Sequence, residues 1–82
     1  MNICIIVGKI VSEIEFKFII NSKHQSISYF DLELSNKSIV KVKAYDEIAD
    51  YVYSKIKNEQ ILINGELRND GIIEIQEIYE IN

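Results

Sequence analysis

The segment from Ser38 to Leu67 constrains the fold of this chain more than any other feature of the sequence. It opens with alternating apolar and polar residues, which predict a half-buried strand. A short stretch with apolar residues three or four positions apart follows, and this spacing predicts an amphipathic helix. A second alternating run then ends at Asn64-Gly65. We expect the helix between these two strands to close one end of a small barrel.

The length of the chain limits how much apolar surface it can bury. With 82 residues it is long enough for one domain, and we expect residues 1–82 to form that domain. Because this length is near the lower limit for a self-sufficient core, we expect an oligomer to add stability.

The cysteine content and the hydropathy of the chain indicate its compartment. Cys4 is the single cysteine, so an internal disulfide is excluded. We expect no signal peptide, and no apolar run is long enough to span a bilayer. The sequence therefore predicts a cytoplasmic protein that does not bind membranes.

The charges are distributed unevenly along the chain. The net charge of −4 argues against a nucleic-acid partner, because nonspecific affinity for nucleic acid comes mainly from Lys and Arg. Residues 1–57, however, carry eight lysines and seven acidic residues, whereas residues 58–82 carry one arginine and six acidic residues. The acidity thus lies near the C-terminus, and the lysines of the first part can group locally.

The first strand predicts an oligomer. Residues 2–11 are apolar at nearly every position, with Gly8 as the expected site of a bend or bulge. One face of this strand, with Ile3, Ile5 and Val7, needs a cover that a short chain hardly supplies. We expect a second copy of the chain to cover it, which predicts a homodimer or, as a second choice, a homotetramer.

The remaining patterns predict four further strands and one helix. Residues 15–20 continue the first alternation, and 21–25 form a polar turn. Asp46 is the expected N-cap of the helix, and Asn58 its expected end. The strands that follow the first are expected at 26–34, 38–45, 60–68 and 72–81, the last two joined by a hairpin turn at 69–71. The chain is therefore expected to be all-β with one short helix, a five-stranded OB-fold barrel whose helix lies between strands 3 and 4.

Two neighbouring strands present rings and cations on the same side. Because side chains alternate along a strand, Tyr29 shares one face with Asp31 and Glu33. On the next strand the outward residues are Ile39, Lys41, Lys43 and Tyr45.

Four segments of the chain resemble the bacterial single-stranded DNA-binding protein family. They occur in the order and spacing of that family, and the resemblance covers almost the whole chain. The segments are Ile6–Ile10 (IVGKI), Tyr29–Leu34 (YFDLEL), Ala44–Ala49 (AYDEIA) and Gln60–Arg68 (QILINGELR). The resemblance implies an OB-fold that binds single-stranded DNA with little sequence specificity, in replication, recombination or mobile-element transfer.

The resemblance also implies a set of contact residues. Tyr45 falls where the family has a base-stacking aromatic residue, whereas Ile39 falls where the family often has a Trp. Tyr29 is expected to add a second ring, and Lys41 and Lys43 to contact phosphates. Further cations are expected at the edges of the site, at Lys9, Lys17 and Lys37. The loops at 36–37 and 69–71 are shorter than in the family and resemble those of the compact, dimeric primosomal OB proteins, which implies a small footprint and weak affinity.

Other interpretations of these residues remain open. Tyr45 can equally pack against the helix, and the two strand lysines can pair with Asp31 and Glu33 instead of phosphate. RNA is an alternative ligand, since stacking does not read the 2′-hydroxyl. The alternative function is a protein-interaction module of a replication or plasmid-transfer complex, with weak or no nucleic-acid binding.

No catalytic, metal or cofactor site is expected. Cys4 has no base placed to activate it, and no phosphate-binding or dinucleotide-binding glycine pattern occurs. His24 has no second His or Cys at ligand spacing. We therefore expect a protein that is not an enzyme and that binds neither a metal nor a cofactor.

Overall fold

The computed structural model describes residues 2–20 and 22–81, which form six strands and one helix. Asn21, the first residue of the expected polar turn, lies outside the described residues. The elements are β1 (Ile3–Ile10), β2 (Glu15–Phe18), β3 (Ser26–Glu33), β4 (Ile39–Tyr45), α1 (Asp46–Ser54), β5 (Gln60–Leu67) and β6 (Ile73–Glu80).

The strands close into a five-stranded barrel. The sheet order is β1-β5-β6-β4-β3-β2, and β1 also pairs with β3 to close the circle. This closing contact is antiparallel and joins Lys9 to Glu33 and Ile10 to Leu32. The expected OB-fold barrel with one short helix is therefore confirmed.

The expected numbering of the strands is wrong in one respect. The first alternating run does not stay in one strand, because residues 11–14 interrupt it and residues 15–18 form a separate strand, β2. Between Lys9 and Glu15 the chain takes six residue steps, while the paired stretch of β3, from Glu33 to Tyr29, takes four. The surplus residues break the ladder, so the helix lies between β4 and β5 rather than between strands 3 and 4.

Helix α1 packs on the barrel core. Its Ala49 and Val52 are fully buried, and they join the strand residues of a single hydrophobic cluster. The strand members of this cluster are Phe30, Leu32, Val42, Ala44, Ile61, Ile63, Ile73 and Ile75. Among the described residues, no helix is long and apolar enough to cross a membrane.

Both predicted ends of the helix are wrong. Asp46 is the first helical residue, and no side chain caps the N-terminus. The Asp46 carboxylate instead accepts hydrogen bonds from the backbone of the β2–β3 loop, as described below. The helix ends at Ser54, and beyond it the Glu80 carboxylate of β6 accepts the N–H groups of Lys57 and Asn58, so these groups do not continue the helical hydrogen-bond pattern.

The two expected features of β1 have different outcomes. Its outer side chains are exposed as expected, with 57% for Ile3, 70% for Ile5 and 51% for Val7. Of the bend or bulge expected at Gly8, the bulge is wrong, since β1 and β5 stay in register through that residue. The irregularity lies instead between β5 and β6, at Asn64 and Gly65.

Candidate nucleic-acid interface

The outer surface of β3 and β4 holds most of the predicted contact residues. These strands are antiparallel neighbours that pair Tyr29 with Lys43 and Asp31 with Lys41. Val42 and Ala44 are fully buried, so the alternate residues of β4 face away from the core as the sequence predicts. Because β4 makes six steps from Ile39 to Tyr45, the surface is about 20 Å long.

Lys43 points outward but is not free. Its residue exposure is 9%, and its ammonium donates a hydrogen bond to Asp70 at 3.1 Å. The same ammonium lies 5.8 Å from the centre of the Tyr45 ring. Burial by itself lowers the pKa of Lys43, but the hydrogen bond to Asp70 and the interaction with Tyr45 outweigh it, and the pKa is raised. Lys43 is therefore charged, and its ammonium binds the turn between β5 and β6 through Asp70.

Lys41 forms an ion pair but remains accessible to solvent. Its Nζ lies 3.3 Å from Asp31 Oδ1. This is the cross-strand ion pair that the sequence analysis gave as the alternative to a phosphate contact. Its side chain is 51% exposed, so the ion pair is a surface contact that costs little to exchange. The ammonium of Lys41 therefore stays within reach of solvent.

The two tyrosines of the surface differ in their surroundings. Tyr29 is half-buried between Glu15 of β2 and Lys43 of β4 in the strand register. Tyr45 is also half-buried on the outer side, where the imidazole of His24 stacks on it with ring centres 4.1 Å apart. Tyr45 therefore does not pack inside the barrel, and its ring already belongs to a stack.

The edge residues divide between the two ends of the surface. Lys17 on β2 pairs in register with Ile27, which in turn pairs with Tyr45, so this lysine lies at the Tyr45 end. Lys9 and Lys37 line a common groove at the opposite end, where Lys9 is 3.6 Å from Glu59.

Ile39 occupies the exposed position at that second end. It is 54% exposed, and it pairs in register with Glu33 of β3. The position is therefore on the predicted surface, but its side chain offers no ring for a base.

Two features of the site, and one exposed ring outside it, were missed by the sequence interpretation. The stack of His24 on Tyr45 and the ion pair of Lys43 with Asp70 join residues more than 20 positions apart, and no local pattern signals them. Outside the surface, on the face of β2 opposite to Lys17, Phe18 is 81% exposed and packs edge-on against Phe16 with ring centres 5.2 Å apart. Its place in an alternating run predicts a strand but not its exposure.

Two glutamates, one on β5 and one on β6, form ion pairs with Arg68. Arg68 lies 2.9 Å from Glu74 and 3.2 Å from Glu66, and both carboxylates raise its pKa. The described residues contain no group of three or more His, Cys, Asp or Glu side chains placed to hold a metal ion. The expectation that the protein binds no metal and no cofactor stays a prediction.

Comparisons with known proteins bear on the fold. No protein-family model matches the chain, and no curated protein matches it. Among solved structures, the chain is similar to the crystal structure of the SSB domain of a protein from Synechococcus sp., with a TM-score of 0.83 and 14% sequence identity. The similarity covers 98% of this chain and 96% of that chain. At this identity, the match shows a shared fold.

Proposed function

We propose that this protein binds single-stranded DNA with little sequence preference, on the outer surface of β3 and β4. The observation that carries the proposal is the position of Tyr29, Lys41 and Tyr45, which share that surface of an OB barrel. OB-folds bind oligonucleotides on this face and on two flanking loops, which here are β2–β3 and β5–β6. Aromatic faces for bases and cations for phosphates are what a single strand requires.

The ion pairs of the surface predict weak binding. Lys43 is engaged by Asp70, and Lys41 must exchange Asp31 for a phosphate. Lys17 and Lys37 form no ion pair within the part of the chain that the structure describes, and both are exposed. A surface about 20 Å long with few available cations is consistent with a site at the small end of the range for OB-folds, about four nucleotides.

Titration of a fluorescent oligothymidine tests the proposal. At low salt we expect a dissociation constant in the micromolar range, with affinity that falls as salt rises. Three or four phosphate contacts give a slope of about −2 to −3 in log K against log salt, since single strands release about 0.7 counterions per contact. Absence of binding below about 100 µM, or binding indifferent to salt, contradicts the proposal. The same titration with oligouridine tests RNA as the alternative ligand.

We also propose that two copies associate through β1, with a tetramer as the alternative. The exposed stripe of Ile3, Ile5 and Val7 supports this, because contiguous apolar side chains on a strand favour a protein partner. Such an oligomer acts as a binding protein rather than an enzyme, in the cytoplasm, during replication, recombination or mobile-element transfer.

A protein-interaction module is the second candidate function. The neutralisation of Lys41 and Lys43 by Asp31 and Asp70 favours it, because it removes much of the positive charge that attracts a polynucleotide. The variants Lys41→Glu and Lys17→Glu separate the two candidates. Both weaken oligothymidine binding if the first is right, whereas retention of a replication protein in a pull-down by both variants supports the second.

A further inference from the structure

The ring of His24 covers the aromatic residue on which the proposed function depends. Its imidazole lies on Tyr45 with ring centres 4.1 Å apart and an angle of 16° between the planes. The His24 side chain is 31% exposed, and that of its partner Asp46 is 41% exposed. The imidazole therefore keeps surface that a ligand can reach, although it stacks on Tyr45.

The imidazole is held in place by a carboxylate that also fixes the loop. Nδ1 of His24 lies 2.8 Å from Oδ2 of Asp46. The other oxygen of Asp46 accepts the N–H of Gln25 at 2.7 Å and the N–H of Ser26 at 3.4 Å. These contacts lower the pKa of the Asp46 carboxyl, the N–H of Gln25 contributing most and His24 next. The ring is thus oriented before any ligand arrives.

The cations near this stack form no ion pair with a described residue, unlike Lys41 and Lys43 in the middle of the surface. Lys17, Ile27 and Tyr45 form one row across β2, β3 and β4 in the strand register. Neither Lys17 nor Lys23, which precedes His24 in the loop, forms an ion pair with any described residue. The β2–β3 end of the surface therefore combines a preoriented ring with unpaired positive charge.

We propose that His24 is itself a nucleobase-stacking residue, the outermost ring of a His24–Tyr45 stack. This inference rests on the proposed function and assigns the residue that contacts the base. A base adds to the exposed imidazole instead of displacing it, because displacement breaks the contact between His24 and Asp46. Asp46 acts as a positioning residue, since it holds the ring without contacting the ligand.

Single-tryptophan variants test this arrangement directly, because the chain contains no Trp. In His24→Trp we expect oligothymidine at low salt to quench the indole fluorescence, as a stacked base does. The matched control is Tyr79→Trp, at a position 53% exposed on β6. We expect its fluorescence to stay unchanged when the oligonucleotide binds. Quenching at position 79 but not at position 24 overturns the proposal.

Affinity measurements provide the second test. We expect His24→Ala to weaken oligothymidine binding about fivefold to 100-fold, the range for removal of one stacked ring. His24→Phe keeps a ring and is expected to stay within about threefold of the wild type. Asp46→Ala is expected to weaken binding as well, because it removes the carboxylate that holds the His24 ring. Adding His24→Phe to this variant is expected to restore binding, because a Phe ring needs no carboxylate partner.

The outcomes separate this inference from the function on which it rests. If the wild type does not bind oligothymidine, both fail together. If the wild type and His24→Ala bind equally while Tyr45→Ala does not bind, the proposed function stands and the role of His24 is refuted. Thermal melts of each variant show whether lost affinity comes from a lost ring or from unfolding. His24→Phe, which keeps a ring, is the reference for the melting temperature of a folded variant.

Discussion

At the scale of single residues, Tyr45 is the side chain whose loss should affect binding most. Replacement by Ala removes the ring under His24 and the partner of the Lys43 ammonium. We expect Tyr45→Ala to cost about 1–3 kcal/mol of oligothymidine affinity, measured by fluorescence anisotropy. Tyr79→Ala, on β6, is the control and should bind as the wild type does. Equal losses in both variants place the contact elsewhere.

Gly65 is the residue at which the fold tolerates least added volume. A Cβ there lies 2.5 Å from the carbonyl oxygen of Glu74 and 2.9 Å from Cγ2 of Ile73. We expect Gly65→Ala to force β5 and β6 apart and to lower the free energy of unfolding by about 1–3 kcal/mol.

The control for this prediction is another glycine of the same hairpin. Gly71 has a φ of +80°, and a Cβ there meets no atom within 4 Å. Because Asn tolerates this backbone conformation, Gly71→Asn should shift the urea midpoint much less. A Gly65→Ala midpoint equal to that of the wild type contradicts the steric argument.

Single residues also show where interpretation of the sequence succeeds. The two-residue period of β4 is enough to place Tyr45 and Lys43 on the outer side. It does not show that Asp70 neutralises Lys43, because that contact joins residues 27 positions apart through the turn between β5 and β6. Asp46 has the residue type of an N-cap, but it is the first helical residue, and its carboxylate oxygens accept hydrogen bonds from the β2–β3 loop and contact His24. Charge availability is thus a tertiary property that strand periodicity does not contain.

At the scale of elements, β1 carries the proposed subunit contact. We expect the wild type to sediment as a dimer and Ile5→Glu to sediment as a monomer, because the charge enters the centre of the apolar stripe. Tyr53→Glu, at a position 58% exposed on α1, is the control and should remain dimeric. A wild type that is monomeric at all concentrations in analytical ultracentrifugation contradicts the proposed interface.

The elements themselves were largely predictable. The helix and the later strands follow from apolar spacing and from the turn signal at 69–71. The separation of β2 from β1 was not, because Ser12 and Glu13 interrupt the alternation without a Gly or Pro to signal that the backbone leaves the ladder at residues 11–14. The position of the irregular pairing was missed for a similar reason. Gly8 and Gly65 both lie in strands, and only the packing of β6 on β5 distinguishes them.

At the scale of the whole molecule, three carboxylates make the fold sensitive to acid. Asp46 and Asp70 accept backbone N–H groups and contact His24 and Lys43, respectively, and Glu80 accepts the Tyr51 hydroxyl and two backbone N–H groups. These contacts lower all three pKa values from the ordinary 3.8 of Asp and 4.5 of Glu. The folded state therefore binds fewer protons than the unfolded state in acid.

Stability should follow the sign of these shifts. The contribution of the three groups is fully present above their unfolded pKa values and is lost as the pH falls through the folded ones. We expect the urea midpoint to fall below about pH 4, and the fall to be smaller in Glu80→Gln, which has no charge to lose. If the urea midpoint falls equally in acid for the wild type and for Glu80→Gln, Glu80 does not contribute to the acid sensitivity.

The pairing pattern of the barrel separates two groups of strands. The antiparallel ladders of β1, β5 and β6 form one leaf, and those of β2, β3 and β4 form the other. The leaves meet along two short seams, one between β1 and β3 and one between β4 and β6. The proposed ligand surface lies on one leaf, and the apolar stripe lies on the other. Substitutions can therefore alter ligand affinity and self-association independently, which lets one scaffold diverge toward tight binders or pure assembly modules without rebuilding its core.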